Sequence, residues 1–176
     1  MSCAPNKGLT LRETVLFGLL GALMFASKLL MDALPNIHLI ALLIAAVTVV
    51  FRLKALFPIY VFVFLTGLTS GFDVWWLPYL YIWTILWGAF MLLPQRMPEK
   101  IKPFIYAAVC ALHGLLYGVL YAPMQALIFG LDFKQTLAWI AAGFPFDAVH
   151  ALSNLIAGSL VVPLAKALTA AAGKKH

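Results

Sequence analysis

The chain has 176 residues, of which 64% are hydrophobic and 10% are charged, and its formal net charge is +6. Soluble domains contain about 45–50% apolar and about 25% charged residues, and a compact domain of this length cannot hide so much apolar surface from water. The composition therefore excludes a disordered chain, a disulfide scaffold and a nucleic-acid-binding domain. It predicts a protein whose main solvent is the lipid bilayer.

Charged residues divide the chain into apolar runs, each near the length of about 20 residues that a helix needs to cross a bilayer. The runs lack the two-residue alternation of a barrel strand, so helices are the expected element. We predict an all-α integral membrane protein with a single domain over residues 1–176. Its six transmembrane helices are expected at about 11–33, 37–52, 55–71, 75–94, 103–130 and 136–168.

Prolines and a short junction modify this pattern. The second and third spans are short and are joined tightly through residues 51–54. Pro145 follows Gly143 inside the sixth span, and because proline removes a backbone donor, we expect a bend or a break there. Pro58 and Pro123 lie inside the third and fifth spans, where a proline can kink a helix.

Lysines and arginines predict the orientation of the helices. With six spans, ten cationic residues fall on the side of the two termini: Lys7, Arg12, Arg52, Lys54, Arg96, Lys100, Lys102, Lys166, Lys174 and Lys175. The opposite turns hold Asp32, Asp73 and Asp132, with Lys134 as their clear cation. The positive-inside rule then places both termini in the cytoplasm of a multi-pass cell-membrane protein.

Motifs for catalysis, nucleotide binding and metal binding are missing from the sequence. It contains no Gly-x-Ser-x-Gly, no His-Glu-x-x-His and no phosphate-binding glycine loop. Cys3 and Cys110 form no Cys-x-x-Cys pair, which predicts free thiols. We therefore expect no enzymatic activity, no cofactor and no metal.

Polar residues at membrane depth are costly and usually face a cavity or a partner helix. In the sixth span Asp147, His150 and Asn154 share one helical face, which Gly143 and Gly158 extend. One interpretation is a hydrogen-bond cluster between helices that holds the bundle together. The other is contact with a ligand, which the aspartate favours.

A second polar stripe lies on the fifth span. It consists of His113, Tyr117, Tyr121 and Gln125 at helical spacing. Gly114 and Gly118 on the adjacent strip predict close helix packing. Ordinary interior packing and ligand binding both remain open for this stripe.

The fourth span is rich in aromatic residues. Trp75 and Trp76 fit an interfacial belt at the end of a span, whereas Trp83 and Trp87 lie deeper, where a belt does not apply. Trp76, Tyr79, Trp83 and Trp87 follow one stripe. Such a stripe suits a flat apolar or aromatic ligand, because rings offer stacking area.

The first outer turn places Asn36 and His38 at the mouth of the predicted bundle. The alternative is a helix cap by Asn36 and a solvated His38. Lys28 and Asp32 are four residues apart and can pair, although a lysine here can also extend to the membrane surface on its own.

Three segments together are similar to a known family. They are Ala22-x-x-x-Ala26 in the first helix, the turn at 34–39 (Leu-Pro-Asn-Ile-His-Leu) and the stretch at 143–154 (Gly-Phe-Pro-Phe-Asp-Ala-Val-His-Ala-Leu-Ser-Asn). With six spans and both termini inside, the chain resembles an S component of an energy-coupling factor (ECF) transporter. S components are the substrate-binding membrane subunits of vitamin uptake systems, and the resemblance covers nearly the whole chain.

The resemblance implies a function and a set of partners. An S component captures a vitamin or related micronutrient at the outer face and topples in the membrane while docked on a T subunit, powered by two ATPase subunits. Ala22 and Ala26 match the small-residue motif that meets the T subunit. The family's pocket lies between the outer ends of the fourth, fifth and sixth helices under a lid of outer loops. By this mapping the substrate contacts are Trp76, Tyr79, Trp83, Tyr117, Tyr121, Gln125, Asp147, His150 and Asn154, with Asn36 and His38 in the lid.

Two other functional classes remain open at this point. A stand-alone secondary transporter would use Asp147 to carry protons. A haem-binding membrane protein would use His113 and His150 as ligands, although His113 lies deeper than the expected pocket.

Overall fold

A computed structural model describes residues 8–34 and 36–173. Cys3, Lys7, Pro35, Lys174 and Lys175 lie outside the described residues. Within them every regular element is helical, which confirms the all-α prediction. The helices are α1 Leu11–Met31, α2 Ile40–Phe51, a 3-10 turn at Arg52–Ala55, α3 Leu56–Ser70, α4 Tyr79–Leu92, α5 Lys102–Leu115, α6 Tyr117–Phe129, α7 Phe133–Gly158 and α8 Val161–Ala171.

The lengths and composition of these helices suit a multi-pass membrane protein. Four stretches are long and apolar enough to cross a bilayer: Leu11–Met31, Ile40–Ser70, Lys102–Phe129 and Phe133–Gly158. Helices α4 and α8 are apolar but shorter. Large apolar side chains also cover the outer surface, as at Leu30 and Leu92, which are 84% and 87% exposed. Lipid solvates such a surface, whereas water does not.

Local sequence signals explain where two of the long helices begin. Thr10 and Glu13 form a capping box at the start of α1, in which each side chain bonds the other's backbone N–H. Asp132 and Gln135 do the same at the start of α7. Each box satisfies two backbone donors that a helix N-terminus leaves free.

Two predicted spans are each divided into two helices. The fifth separates at Leu116 into α5 and α6, and the sixth begins at Phe133 and separates at Ser159–Leu160 into α7 and α8. Of the bend or break expected at Pro145, the break does not occur, because α7 continues through this residue. The proline's missing donor leaves only the carbonyl of Ala141 without its helical bond, and both residues lie on the exposed face of the helix.

Helix α2 forms the centre of the bundle. Nine of its 12 residues are buried, and apart from Phe51 these are small or branched. A helix that is apolar all round belongs in an interior, and α2 contacts α4, α7 and α8 as well as the 3-10 turn that follows it. It ends where Arg52 takes a positive φ of 53°.

Side-chain contacts show the direction in which the helices run. Lys54 bonds Glu13 at 2.6 Å, and the rings of Phe57 and Phe17 lie 6.2 Å apart. Because both sequence numbers rise together along this contact, α1 and α3 are parallel. Helix α4 runs against α3, since Trp76 Nε1 donates to the carbonyl of Val63 at 2.8 Å while the hydroxyls of Tyr60 and Thr84 share a bond.

Helices α5 and α7 also run antiparallel to the helices that they pack against. The ring of Phe90 contacts Tyr106 and that of Trp83 contacts His113, so α5 is antiparallel to α4. Helix α7 is antiparallel to α5, because Gly114 packs on His150 and Gly158 packs on Ala107.

The bundle consequently has two ends. Asp32, Asn36 and His38 mark one of them, which we call the His38 end. Arg52 and Lys102 mark the other, the Arg52 end. Arg12 donates there to the carbonyl of Ala171 at 3.2 Å, so the start of α1 and the end of α8 meet.

Candidate functional site

A cavity of about 310 Å³ opens at the His38 end, and we call it the His38-end cavity. Helices α1, α4, α6 and α7 and the loop after α1 form its walls. The lining residues are Lys28, Met31, Asp32, Leu34, Asn36, Ile37, His38, Tyr79, Tyr117 and His150. Five of these were predicted as substrate contacts: Asn36, His38, Tyr79, Tyr117 and His150. The cavity brings them together from four different segments of the chain.

Two imidazoles form its inner wall. The rings of His38 and His150 lie 4.6 Å apart at an angle of 71°, and the ring of Tyr117 lies 5.1 Å from His150. His150 is 2% exposed. Its Nε2 and the Nδ1 of His38 are both buried and have no hydrogen-bond partner. Most buried polar atoms in proteins have a partner, so these two nitrogens are candidates for contact with a ligand.

Aromatic rings form a second wall. Tyr79 and Tyr117 line the cavity, and Trp83 lies behind both, with ring centroids 5.6 Å and 6.1 Å from theirs. Trp83 is 2% exposed, and its Nε1 has no partner. The tryptophan therefore supports the wall and does not line the cavity.

An ion pair lies at the mouth. Lys28 Nζ donates to Asp32 Oδ1 at 3.1 Å, one turn apart at the end of α1. In the loop that follows, Asn36 has a positive φ of 60°, a conformation that asparagine adopts more readily than most residues. Asn36 and His38 both line the cavity, and His38 lies against His150 of α7.

His38 lies before the first residue of α2, and its surroundings favour the neutral ring. Burial and, to a smaller extent, the nearby Lys28 ammonium lower the pKa of its imidazole to about 4. Both causes oppose a second positive charge at this position.

Asp147 and Asn154 lie away from the cavity, in the interface between α7 and the α5–α6 pair. The carboxylate of Asp147 accepts from the backbone N–H of Gly118 at 3.1 Å. Asn154 is fully buried against Gly114, and neither its Oδ1 nor its Nδ2 has a partner. Of the three polar residues predicted on this helical face, only His150 reaches the cavity.

Three further predicted contacts also lie outside the cavity lining. Trp76 donates to the carbonyl of Val63. Tyr121 donates to the carbonyl of Trp75 at 2.8 Å, and its ring stacks on Trp139. Gln125 is half-buried on α6.

His113 is buried beneath the aromatic wall. Its Nε2 lies 3.1 Å from the carbonyl of Ile82, and because a carbonyl only accepts, this nitrogen carries the proton. The proton makes Nε2 a poor haem ligand in this arrangement. Among residues 8–34 and 36–173, no group of three or more histidine, cysteine or acidic side chains is placed to hold a metal ion.

The predicted docking residues lie on the outer face of α1. Ala22 and Ala26 are exposed, whereas Gly21 and Met24 on the other face are buried. Open space also surrounds Gly18, one turn before Ala22. The outer face of this helix therefore carries only small residues at Gly18, Ala22 and Ala26.

A second polar cavity, of about 350 Å³, lies at the Arg52 end, and we call it the Arg52-end cavity. It is lined by Val49, Val50, Arg52, Phe90, Leu93, Pro94, Gln95, Lys102 and Tyr106. Arg52 donates to the carbonyls of Met91 at 2.9 Å and Phe90 at 3.4 Å, and Lys102 pairs with Glu99. The cations of this cavity are thus already bound to the chain.

The sequence pattern missed Lys28 and Asp32 as cavity residues, together with the apolar Met31, Leu34 and Ile37. A lysine and an aspartate one turn apart, directly before a polar turn, were the available signal.

The walls of the His38-end cavity can bind and orient a small molecule. They offer aromatic surface, hydrogen-bonding nitrogens and one ion pair, the usual constituents of a ligand site. Comparison with protein-family models, with curated proteins and with solved structures found no match to this chain.

Proposed function

We propose that this protein is the substrate-binding membrane subunit of an ECF transporter and that it captures its substrate in the His38-end cavity. One observation carries the proposal: unpartnered nitrogens of His38 and His150 share a cavity with the rings of Tyr79 and Tyr117. A bound molecule would supply the missing hydrogen bonds. The aromatic wall favours a flat heterocycle, which fits a vitamin or related micronutrient.

The proposed topology has six membrane crossings with both termini in the cytoplasm. The crossings are α1, α2, α3, α4, the α5–α6 pair and the α7–α8 pair, and the alternating directions of these segments support the arrangement. Basic residues such as Arg12, Arg52 and Lys102 collect at the Arg52 end, which we place inside. The His38-end cavity then opens to the outside of the cell membrane.

The partners in this proposal are a transmembrane T subunit and two ATPases. The sequence carries no nucleotide-binding motif of its own, and in this proposal the two ATPase subunits supply the energy. The exposed Ala22 and Ala26 permit close approach of a partner helix. Docking along this face would let the loaded subunit topple and release its substrate in the cytoplasm.

Uptake measured with and without the energising subunits tests this proposal. We expect Ala22→Trp with Ala26→Trp to abolish uptake, because bulky rings prevent close helix approach, while binding to the isolated subunit persists. The matched control is Leu127→Trp, at an exposed position on α6, which should preserve both properties.

Two results would contradict the proposal. One is normal uptake by the double tryptophan variant. The other is uptake driven by a proton gradient without any ATPase, which would favour the secondary transporter and a proton-carrying role for Asp147.

A further inference from the structure

The two charged side chains of the His38-end cavity differ in their exposure to water. Lys28 and Asp32 are the two charged residues that line it, and they bond each other at 3.1 Å. The side chain of Asp32 is 55% exposed, whereas that of Lys28 is 22% exposed. Water screens the carboxylate more than the ammonium. The electrostatic potential inside the cavity is therefore more positive than expected from one ammonium and one carboxylate, whose formal charges cancel.

The two unpartnered imidazole nitrogens can act as donors. A neutral imidazole carries one N–H, which resides on whichever nitrogen has an acceptor to bind. His38 Nδ1 and His150 Nε2 have no competing partner, so each can take the proton and donate to an oxygen in the cavity. Together with Lys28, three nitrogen donors surround the same space.

The lining of the His38-end cavity offers little electrostatic stabilisation to a cationic ligand. The other acidic side chain nearby, Asp147, accepts from Gly118 N–H and does not line the cavity. Asp32 is more exposed to water than Lys28 at the mouth, and water weakens its attraction for a ligand ammonium. A ligand ammonium would thus meet the less exposed Lys28 ammonium with only a screened carboxylate to offset the repulsion.

From this arrangement we infer that the ligand of the His38-end cavity is a small monocarboxylate, held by Lys28 and by the N–H groups of His38 and His150. Its body packs against the rings of Tyr79 and Tyr117. A single carboxylate matches a single ammonium, and charge-assisted hydrogen bonds are about twice as strong as neutral ones. The inference rests on the proposed function, because it names the class of substrate for that same site.

A panel of matched compounds tests this inference. Benzoate, benzamide and benzylamine form one set, and the corresponding pyridine, pyrimidine and indole compounds form three more. Each compound is titrated against the full chain in nanodiscs, with the melting temperature and the dissociation constant as readouts. We expect the carboxylate of at least one set to bind about tenfold or more tightly than its amide and amine, since one charged hydrogen bond commonly contributes that much.

Variants of Lys28 and Asp32 test whether the Lys28 ammonium causes the preference for a carboxylate. Lys28→Met should remove the preference for the carboxylate, and Lys28→Arg should restore most of it, because the positive charge returns. Asp32→Asn should preserve or strengthen carboxylate binding, since it frees the Lys28 ammonium. A preference that survives Lys28→Met would overturn the inference.

The other outcomes separate this inference from the proposed function. Tighter binding of amines or amides, lost on His150→Leu, would overturn the monocarboxylate assignment and leave the substrate-binding role standing. If no compound of the panel binds, the monocarboxylate assignment is overturned, while the substrate-binding role is decided separately by the uptake measurement with the energising subunits.

Discussion

The two polar cavities at opposite ends of the bundle are similar in volume, about 310 Å³ and about 350 Å³, and each contains a cation and an aromatic ring. They differ in how their polar groups are satisfied. At the Arg52 end, the guanidinium and Lys102 are bound to groups of the chain itself. At the His38 end, two buried imidazole nitrogens have no partner. Volume alone therefore does not distinguish the two cavities, whereas unpartnered buried nitrogens on residues that line a cavity do.

The Arg52-end cavity has a structural explanation. The last carbonyls of a helix lack intrahelical donors, and the guanidinium of Arg52 supplies donors to Phe90 and Met91 in the last turn of α4. Trp87 Nε1 in turn donates to the carbonyl of Arg52 at 3.1 Å. Arg52 thus joins the end of α2 to the end of α4.

The largest expected contrast comes from His150→Leu. Leucine removes a nitrogen that only a ligand would satisfy, so we expect ligand affinity to fall by about 1–3 kcal/mol, with little loss of thermal stability. The matched control is Gln95→Leu in the Arg52-end cavity, which should leave affinity unchanged. Calorimetry and melting curves on both variants provide the comparison. If both variants and the unmodified chain bind the ligand with equal affinity, the assignment of the ligand to the His38-end cavity is contradicted.

Substitution of Arg52 should produce the reverse pattern. Arg52→Ala leaves the carbonyls of α4 without these donors, and we expect a loss of about 1–3 kcal/mol of stability without a change in affinity. Arg52→Gly should be more stable than Arg52→Ala by about 1 kcal/mol, because glycine adopts the positive φ without strain. Thermal melts of the two variants measure the difference, and an alanine variant as stable as the glycine variant would count against backbone strain.

We expect low pH to reduce the free energy of unfolding through protonation of His38. The pKa of His38 is lowered from 6.5 to about 4 in the folded protein, so its contribution to stability is complete above pH 6.5 and declines as the pH falls towards 4. The titratable and charged groups that act on this ring are Lys28 on α1, Asp32 directly after α1, His113 on α5 and His150 on α7. We expect the His38→Gln variant to lose less stability than the unmodified chain between pH 7 and 5, by about 2 kcal/mol. Parallel slopes in melting curves across this range would contradict the assignment.

The smallest effect is expected at Asp147. The Asp147→Asn side chain retains an oxygen that accepts from Gly118 N–H, so we expect stability to change by less than about 1 kcal/mol and affinity to remain the same. A drop in affinity comparable to that of His150→Leu would return Asp147 to the ligand site. The same titration measures both variants.

Helical spacing predicted several of the cavity residues well because it is a local property. His150, Tyr117 and Tyr79 came from polar or aromatic stripes that repeat at helical intervals, and a stripe of this kind faces the interior. The helical class of the fold followed from the long apolar runs for the same reason. Backbone bonding in lipid leaves few alternatives.

Features that depend on contacts between distant segments were beyond the sequence pattern. Asp147 and His150 share a face of α7, but Asp147 accepts from the backbone N–H of Gly118 whereas His150 lines the cavity beside Tyr117. Lys28 of α1 lines the same cavity as His38, Tyr79 and His150, which come from distant segments of the chain. The break at Leu116 lies within a continuous apolar run, where composition carries no boundary signal.

Native mass spectrometry of the full chain, purified from cells that supply its ligand, tests the central claim most directly. The account predicts a small bound molecule on the unmodified chain and on Gln95→Leu, and none on His150→Leu. Equal occupancy of the unmodified chain and His150→Leu, or loss of the molecule from Gln95→Leu alone, would show that the ligand does not bind in the His38-end cavity.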